Sequence, residues 1–585
     1  MTWVIRANCA GHRPRHGRLK FARQPPRGRA GPGKTARVDL GSGRNVEGPK
    51  RERTLAKLHA LRAHLSILVA AAALVLGPAP VDAAPKPGVR LRILNVNIFY
   101  GGDEIDLASG KWCHRSDGCP ENLARMIDAI QAAAPDVVAL EEGEHSTRVI
   151  ADALGFHASE RMQIATRYPL IDPPGGDGVY VFAEVAPGRV VALMNVHLPA
   201  DPYGPYLVRD GATLEEVLAL ENGLRVPALA RQLAALPGLL AQQIPTFLAG
   251  DFNSPSHLDW TPAVAAVRSE VRYPVEWPVS FVLTTAGFRD SYREVHADPV
   301  AVPGFTWTPG SLEGVANEVH DRIDGVLAAG DAVAVDSSVV GEVGGPDVGI
   351  EIVDYPTDHR GVVASFDVVP TVPPIFVAVG SRRVFVGDPL SAAFHAPGRS
   401  GERVAIAPAG GGGAEALVAL PTGARNPTDG SLVFATGGLA PGVYDALLLD
   451  ARGSVLSRTR FWLYAVGTEP SVATSKAVYA GGEPIVVSWK AAPGMRWDWL
   501  GIFAPGEVDG NPNATTCNAS TCGNGRYLLY EYTRTAIEGS THFGPDSPVG
   551  WSTWPLQPGN YEIRLLLDDG YRSLASSSPF KVVNP

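Results

Sequence analysis

The spacing of apolar residues changes near residue 370, and with it the kind of secondary structure that the chain can form. Before that point, helical apolar stripes alternate with short apolar runs that are typical of buried strands. A stretch containing Pro370, Pro373 and Pro374 indicates a linker. Beyond it, short strand-like runs alternate with Gly- and Pro-rich turns, without a convincing helix. The pattern predicts an α/β part followed by an all-β part, and the 64 Gly and 50 Pro exclude a long coiled coil.

Residues 89–370 are predicted to form one large α/β domain. A helix is predicted over Glu121–Ala134, because its apolar residues recur at i, i+3, i+4 and i+7 and Pro135 follows it. A second helix is predicted over Leu224–Leu236. The predicted strands are Val89–Asn97, Asp136–Leu140, Val190–Val196 and Thr246–Ala249.

The all-β part contains an internal repeat. VFVGDPLSAAFHAPG at 384–398 resembles VYAGGEPIVVSWKAAPG at 478–494, and LLLDARG at 447–453 resembles LLLDDG at 565–570. Short strands at this spacing predict two tandem β-sandwiches, at 371–466 and 467–585.

The charge of the chain is unevenly distributed. Residues 1–88 carry a net charge of about +13, and residues 89–370 about −21. The segment 1–50 is interpreted as a disordered basic extension or the product of a start codon assigned too far upstream. A nucleic-acid-binding arm is the alternative.

Residues 51–84 have the features of a signal peptide. A basic segment precedes the apolar run Ser66–Gly77, and small residues before Ala84 suit cleavage after Ala83 or Ala84. The run is shorter than the roughly 20 residues of a membrane span. A buried helix of the fold is the alternative, but the signal peptide is favoured. It predicts a secreted or periplasmic protein.

The cysteines agree with export. Cys9 lies in the predicted leader, which leaves the close pairs Cys113/Cys119 and Cys517/Cys522. In an exported protein such pairs predict local disulfides. Zinc is the alternative, but neither the spacing of the first pair nor the separation of the two pairs favours it.

Clusters of polar residues lie at strand ends of the α/β part, where a rigid scaffold presents reactive groups. Singly, each is explained as well by a turn or a solvated loop. Their order and their shared position beside apolar strands indicate a site. The clusters are Asn97, Glu141-Glu142, Asn195–Leu198, Gly250–Asn253, Asp321–Asp324 and Thr357–His359.

This set, in this order, resembles the endonuclease/exonuclease/phosphatase superfamily, which includes deoxyribonuclease I and the neutral sphingomyelinases. The resemblance covers about residues 89–369. It implies an α/β fold with a four-layer α/β sandwich, in which two central β-sheets are flanked by helices. The tail resembles the SKICH-type β-sandwich, in the segments DWLGIF at 498–503, YEYT at 530–533 and SSPFKV at 577–582.

The resemblance implies the roles of individual residues. Glu142 corresponds to the principal Mg²⁺ ligand, beside Asn97 and Asp358, while Glu141 occupies the place of a usual Gln. Asp251 corresponds to the residue that activates or orients water, and Asn253 holds the phosphate. The implied catalytic residues are Asn97, Glu142, His197, Asp251, Asn253, Asp324 and His359, and the implied metal ligands are Asn97, Glu142 and Asp358.

Two points stay open in this assignment. The carboxylate that pairs with His359 is either Asp321 or Asp324, and RIDGVL favours Asp324. Which histidine acts as acid or base is undecided. Oxygen ligands with retained water suit Mg²⁺ or Mn²⁺, which would neutralise phosphoryl charge during attack by water.

The predicted function is that of a secreted Mg²⁺-dependent phosphoesterase. The pair His197 and His359 resembles the nuclease and sphingomyelinase branches, which favours a phosphodiester. The candidate substrates are a nucleic acid, a phospholipid or a sugar phosphate. The acidic domain argues against tight non-specific DNA binding. The alternatives are a phosphomonoesterase acting on sugar or inositol phosphates and a catalytically inactive binding protein. The tail is expected to dock a surface or lipid, and the protein is expected to be a monomer.

Overall fold

The described part of the molecule begins with the α/β region. The computed structural model describes residues 88–103, 105–106, 111–112, 119–309, 318–506, 527–550 and 552–584. The predicted leader segments 1–50 and 51–84 lie outside these residues. Among the described residues, no helix is long and apolar enough to cross a membrane.

The predicted disulfide pairings remain predictions. Cys119 is buried and takes part in a disulfide bond. Its predicted partner Cys113, and the pair Cys517 and Cys522, lie outside the described residues.

The α/β region contains fifteen strands and eight α-helices within the described residues. The strands are β1 (Val89–Asn97), β2 (Ile105–Asp106), β3 (Lys111–Trp112), β4 (Val137–Glu141), β5 (His157–Ser159), β6 (Ile164–Thr166), β7 (Leu170–Ile171), β8 (Val181–Ala186), β9 (Arg189–His197), β10 (Thr246–Asp251), β11 (Arg289–Asp290), β12 (Asp324–Ala329), β13 (Ala332–Glu342), β14 (Val348–Ile352) and β15 (Gly361–Val368). The helices are α1 (Pro120–Ala133), α2 (Ser146–Leu154), α3 (Gly204–Arg209), α4 (Leu214–Ala228), α5 (Ala230–Ala241), α6 (Pro262–Ala265), α7 (Pro278–Ala286) and α8 (Ser291–Val295).

Thirteen of these strands form two large sheets. The seven-stranded sheet has the order β14-β13-β15-β1-β4-β6-β5, and the six-stranded sheet has the order β11-β12-β10-β9-β8-β7. In the first, β1 runs parallel to β4 and antiparallel to β15. In the second, β10 runs parallel to β9 and antiparallel to β12.

A shared apolar core joins the two sheets. Phe247 of one sheet meets Phe366 of the other edge to face, with ring centroids 4.9 Å apart. Each fully buried side chain of this size contributes roughly 1.5–3 kcal/mol of burial free energy. On the outer faces, α1 and α2 pack on the seven-stranded sheet, and α5 and α7 pack on the six-stranded sheet.

The predicted helices are present, one of them in a different form. Helix α1 has Pro120 at its first turn, where no amide hydrogen is needed, and ends at Ala134 in the left-handed conformation. The helix predicted over 224–236 is instead divided between α4 and α5, which meet at Leu229. Pro227 lacks an amide hydrogen, which weakens the last turn of α4.

The all-β region forms two β-sandwiches. In the first, sheets β16-β18-β21 and β17-β23-β22-β19-β20 share a core. In the second, sheet β24-β26-β29 faces sheet β25-β32-β30-β27-β28, in which β31 also pairs with β30. The strands of the first sandwich are β16 (Phe376–Val379), β17 (Arg383–Phe385), β18 (Pro389–His395), β19 (Arg403–Pro408), β20 (Val418–Pro421), β21 (Asp429–Ala435), β22 (Gly442–Leu449) and β23 (Val455–Tyr464), and those of the second are β24 (Ser471–Thr474), β25 (Val478–Ala480), β26 (Ile485–Lys490), β27 (Trp499–Phe503), β28 (Tyr530–Tyr532), β29 (Gly539–Phe543), β30 (Gly559–Leu566), β31 (Ser573–Ser576) and β32 (Phe580–Val583).

The second sandwich contacts the α/β region directly, and Pro87–Pro585 form one compact unit. The buried side chain of Arg496 donates a hydrogen bond to the carbonyl oxygen of Asn195, in strand β9. Thr535 Oγ1 donates to the carbonyl oxygen of Asp177 at 3.3 Å. These contacts place the second sandwich beside the strand that ends at His197.

Candidate active site

Strand register brings the predicted site residues together. In the parallel pair β1 and β4, Asn97 lies opposite Glu141. Asp251, the last residue of β10, lies opposite His197 on one side and opposite Asp324 on the other. Polar residues far apart in sequence therefore meet where the strands of both sheets end.

Asn97 connects the two sheets at this edge. Its Nδ2 donates to Glu142 Oε1 and to Asp251 Oδ2, both at 3.2 Å. Glu142 lies just after β4 in the left-handed region, with φ at 53°, and its Oε2 accepts from the amide of Tyr100 at 2.8 Å. This backbone conformation is uncommon for a residue other than glycine, and such residues are concentrated at functional sites.

Asp251 and Asn253 form a fixed pair at the start of the next segment. The amide of Asn253 donates to Asp251 Oδ1 at 2.8 Å, and Asn253 Nδ2 donates to the carbonyl oxygen of Leu198 at 3.0 Å. Asn253 also has a positive φ, 47°. These bonds hold the Asp251 carboxylate in one orientation.

His359 lies against two buried carboxylates. Its Nδ1 is 3.0 Å from Asp324 Oδ2 and 3.7 Å from Asp251 Oδ2. The ring of Trp307 packs against it at 4.8 Å between centroids. Burial opposes the charge of His359, but Asp324 and Asp251 outweigh it and raise the pKa of His359 well above its usual value.

The two candidate partners of His359 have different surroundings. Asp324 contacts His359, whereas Asp321 accepts hydrogen bonds from Trp260 Nε1 at 2.8 Å and from the Tyr203 hydroxyl at 3.2 Å. Burial raises the pKa of Asp321 to about 7. Asp321 therefore supports the packing of the loop next to the site.

Among the predicted metal ligands, the surroundings of Asp358 bear most directly on metal binding. Its Oδ1 is buried and has no hydrogen-bond partner. Burial, with Glu142 and Asp251 nearby, raises its pKa to about 7, although His359 lowers it. A buried carboxylate oxygen without a donor, near a second carboxylate from Glu142, fits a hard divalent cation. Asp251, Asp324 and His359 form a second group, with one potential ligand atom from each within 4.8 Å of the others.

His197 is held between carboxylates from two parts of the chain. Its Nε2 is 3.7 Å from Asp251 Oδ2, and its Nδ1 is 3.4 Å from Oδ2 of Asp569, in the second sandwich. Burial opposes the charge on the ring, but the hydrogen bond to Asp569 and the carboxylates of Asp251 and Glu142 raise the pKa of His197 to about 10.

Glu141 lies within electrostatic range of an arginine that the sequence did not associate with the site. Its carboxylate is fully buried without a hydrogen-bond partner, and burial raises its pKa, as do Asp324 and Asp251. Arg496 of the second sandwich acts in the opposite direction. Sequence reasoning missed both Arg496 and Asp569. For Asp569, the available signal was the turn of the internal repeat, where LLLDDG differs from LLLDARG.

Comparison with known proteins agrees with this geometry. Residues 95–359 match the model of the endonuclease/exonuclease/phosphatase family. An uncharacterized Caenorhabditis elegans protein, F14F9.5, is 30% identical over 304 residues, which cover 47% of this chain and 91% of that protein. The chain belongs to the endonuclease/exonuclease/phosphatase family.

Solved structures of the family are more distant. An endonuclease/exonuclease/phosphatase from Beutenbergia cavernae is 18% identical and covers 64% of this chain and 100% of its own, with a TM-score of 0.29. An AP endonuclease from Archaeoglobus fulgidus is 17% identical and covers 48% and 100%, with a TM-score of 0.29.

Proposed function

We propose that the protein is a divalent-cation-dependent phosphoesterase that hydrolyses a phosphodiester by attack of water. The observation that carries this proposal is that His197 and His359 both lie 3.7 Å from the same oxygen, Asp251 Oδ2. Diester hydrolysis needs one group to take a proton from water and another to give a proton to the leaving oxygen. The Asp251 carboxylate, which lies between the two rings, can take the proton from water, and a protonated imidazole can give one to the leaving oxygen.

Asn97, Glu142 and Asp358 would hold the cation. Their amide and carboxylate oxygens suit Mg²⁺ or Mn²⁺, and Asp358 Oδ1 is buried without another partner. A bound cation neutralises charge on the phosphoryl oxygens and polarises the bond to be broken. The other possible set of metal ligands is Asp251, Asp324 and His359. We assign these residues to proton transfer instead, because His359 Nδ1 already contacts Asp324.

The remaining residues orient the reaction. The Asp251 carboxylate is fixed by Asn97 and Asn253, and burial raises its pKa, as does Asp324, so it accepts a proton more readily than an exposed carboxylate. Asp324 holds Nδ1 of His359, which leaves Nε2 as the nitrogen that exchanges a proton with substrate.

The charge of the site favours a diester over a monoester. A monoester carries about −1.5 to −2 charges at neutral pH, whereas a diester carries one. Repulsion from a dense group of carboxylates weighs more heavily on the monoester. These carboxylates are Glu141, Glu142, Asp251, Asp324, Asp358 and Asp569.

An inactive protein is disfavoured because every predicted site residue is present.

Several wider features are part of the same proposal. We propose export after cleavage near Ala84, a four-layer sandwich over 89–370, and sandwich domains at 371–466 and 467–585. The two core clusters that cover opposite faces of the six-stranded sheet support the layered arrangement. We also propose that the protein is a monomer, and that the SKICH-like tail docks a surface or lipid.

The test is an assay of the full-length protein with Mg²⁺ on bis(p-nitrophenyl) phosphate and on p-nitrophenyl phosphate. We expect diester cleavage that EDTA abolishes and Mg²⁺ restores, and that His359→Ala lowers by about 10²–10⁴-fold. His157→Ala, which removes an exposed histidine on β5, is the matched control. Activity that survives thorough chelation, or release from the monoester alone, would overturn the proposal. A panel of nucleic acid, phospholipid and sugar phosphates would then define the substrate.

A further inference from the structure

One turn of the second sandwich reaches the edge where the catalytic residues meet. The turn joins β30 to β31 and runs from Leu567 to Arg572. Its Gly570 approaches Glu144 so closely that a Cβ at that position would lie 2.6 Å from Glu144 Oε2. The turn therefore packs directly on the segment that follows Glu142.

The turn has an unusual backbone that is firmly held. Asp568 and Asp569 both have positive φ values, 44° and 66°. The Asp569 amide donates to the carbonyl oxygen of Trp497 at 2.9 Å, and Trp499 Nε1 donates to the carbonyl oxygen of Gly570 at 3.0 Å. A left-handed residue other than glycine is strained and persists where its surroundings fix it.

The two carboxylate oxygens of Asp569 make different contacts. Its Oδ1 accepts from the Tyr532 hydroxyl at 3.0 Å, and its Oδ2 lies 3.4 Å from His197 Nδ1. Among the described residues, it is the only carboxylate paired with that nitrogen within 4.0 Å. His359 has the equivalent contact with Asp324, which belongs to the α/β region.

We propose that Asp569 of the second β-sandwich is a positioning residue of the active site, which holds the ring of His197 in one orientation. A carboxylate at Nδ1 fixes the proton there and directs Nε2 toward Asp251 and the reacting phosphate. The α/β region supplies the carboxylate that contacts His359, and the second sandwich supplies the carboxylate that contacts His197. The kinetic part of this proposal rests on the proposed phosphodiesterase function, but the contact itself does not.

The first experiment tests the contact without any substrate. Full-length protein labelled at the histidine ¹³Cε1 positions is compared with Asp569→Asn and with Asp546→Asn, an exposed carboxylate of the same sandwich. His197→Gln identifies the His197 signal. We expect Asp569→Asn to move that signal and Asp546→Asn to leave it in place. A His197 signal unchanged by Asp569→Asn would overturn the proposal.

The second experiment is a double-mutant cycle on bis(p-nitrophenyl) phosphate. We expect Asp569→Asn to lower kcat by about 10–100-fold with KM nearly unchanged, and to have no further effect in a His197→Gln background. Asn tolerates a positive φ, so the unfolding midpoint should stay close to that of the wild type. An equal loss in both backgrounds would overturn the proposal. A wild-type protein without diesterase activity would refute the proposed function, and the spectra alone would then decide the role of Asp569.

Discussion

Replacing Asp324 by Asn should remove most of the catalytic benefit of His359. The Asp324 carboxylate lies 3.0 Å from His359 Nδ1. With an effective dielectric constant of about 20, its attraction to an imidazolium at that distance is about 5–6 kcal/mol. At about 1.4 kcal/mol per tenfold change, this sets an upper limit near 10⁴-fold on the loss. Because Asn keeps a hydrogen-bonding group there, we expect kcat to fall by about 10²–10⁴-fold.

The matched control for this variant is Asp321→Asn. Asp321 lies three residues earlier, is equally buried, and bonds Trp260 and Tyr203 instead of His359. We expect Asp321→Asn to keep kcat near that of the wild type, measured on bis(p-nitrophenyl) phosphate with Mg²⁺. If the two variants lose activity equally, or if Asp324→Asn retains full turnover, the assignment of Asp324 to His359 is refuted.

Three further predictions concern stability. Arg225→Met should destabilise the protein by about 3–5 kcal/mol in urea unfolding, because it leaves the fully buried carboxylate of Glu221 without its cation; an unchanged unfolding midpoint would contradict this. Gly250→Ala should lower both stability and activity, because its Cβ would lie 2.3 Å from the Val196 carbonyl oxygen. The control is Gly238→Ala in α5, where a Cβ would have no atom within 4 Å, and it should leave stability and activity unchanged. Asp358 has a pKa raised to about 7, so its ionisation lowers the stability of the metal-free protein as pH rises from about 4 to 7. Asp358→Asn should therefore stabilise the chelated protein more at pH 8 than at pH 5. An equal change in unfolding free energy at both pH values would contradict the raised pKa.

The sequence indicated which strand-end residues lie together better than it indicated what surrounds them. Asn97, His197 and Asp251 could be identified because they end apolar strands, and parallel strands bring such ends to one edge. The choice between Asp321 and Asp324 could not be made from spacing, since both flank Arg322. It depends on β12 beginning at Asp324, in register with Asp251. The division between α4 and α5 was missed because the apolar stripe continues across Leu229.

Asp569 could not be predicted because the contact spans more than half of the chain and depends on how two domains pack. Local periodicity carries no information about such packing, and the second sandwich reads by itself as an independent module. The same limit applies to Arg496, whose buried guanidinium lies near Glu141.

The internal repeat shows how the second sandwich differs from the first at this turn. Aligning LLLD in both copies places Ala451 where the second copy has Asp569. In the first copy, the carboxylate of the turn makes its hydrogen bonds within the turn. Asp450 accepts from the amides of Arg452 and Ser454 at 2.9 and 2.8 Å. In the second copy, the Asp569 carboxylate faces His197. The first turn shows that this sandwich closes without a second carboxylate, so the fold alone does not explain Asp569. Its contact with His197 does.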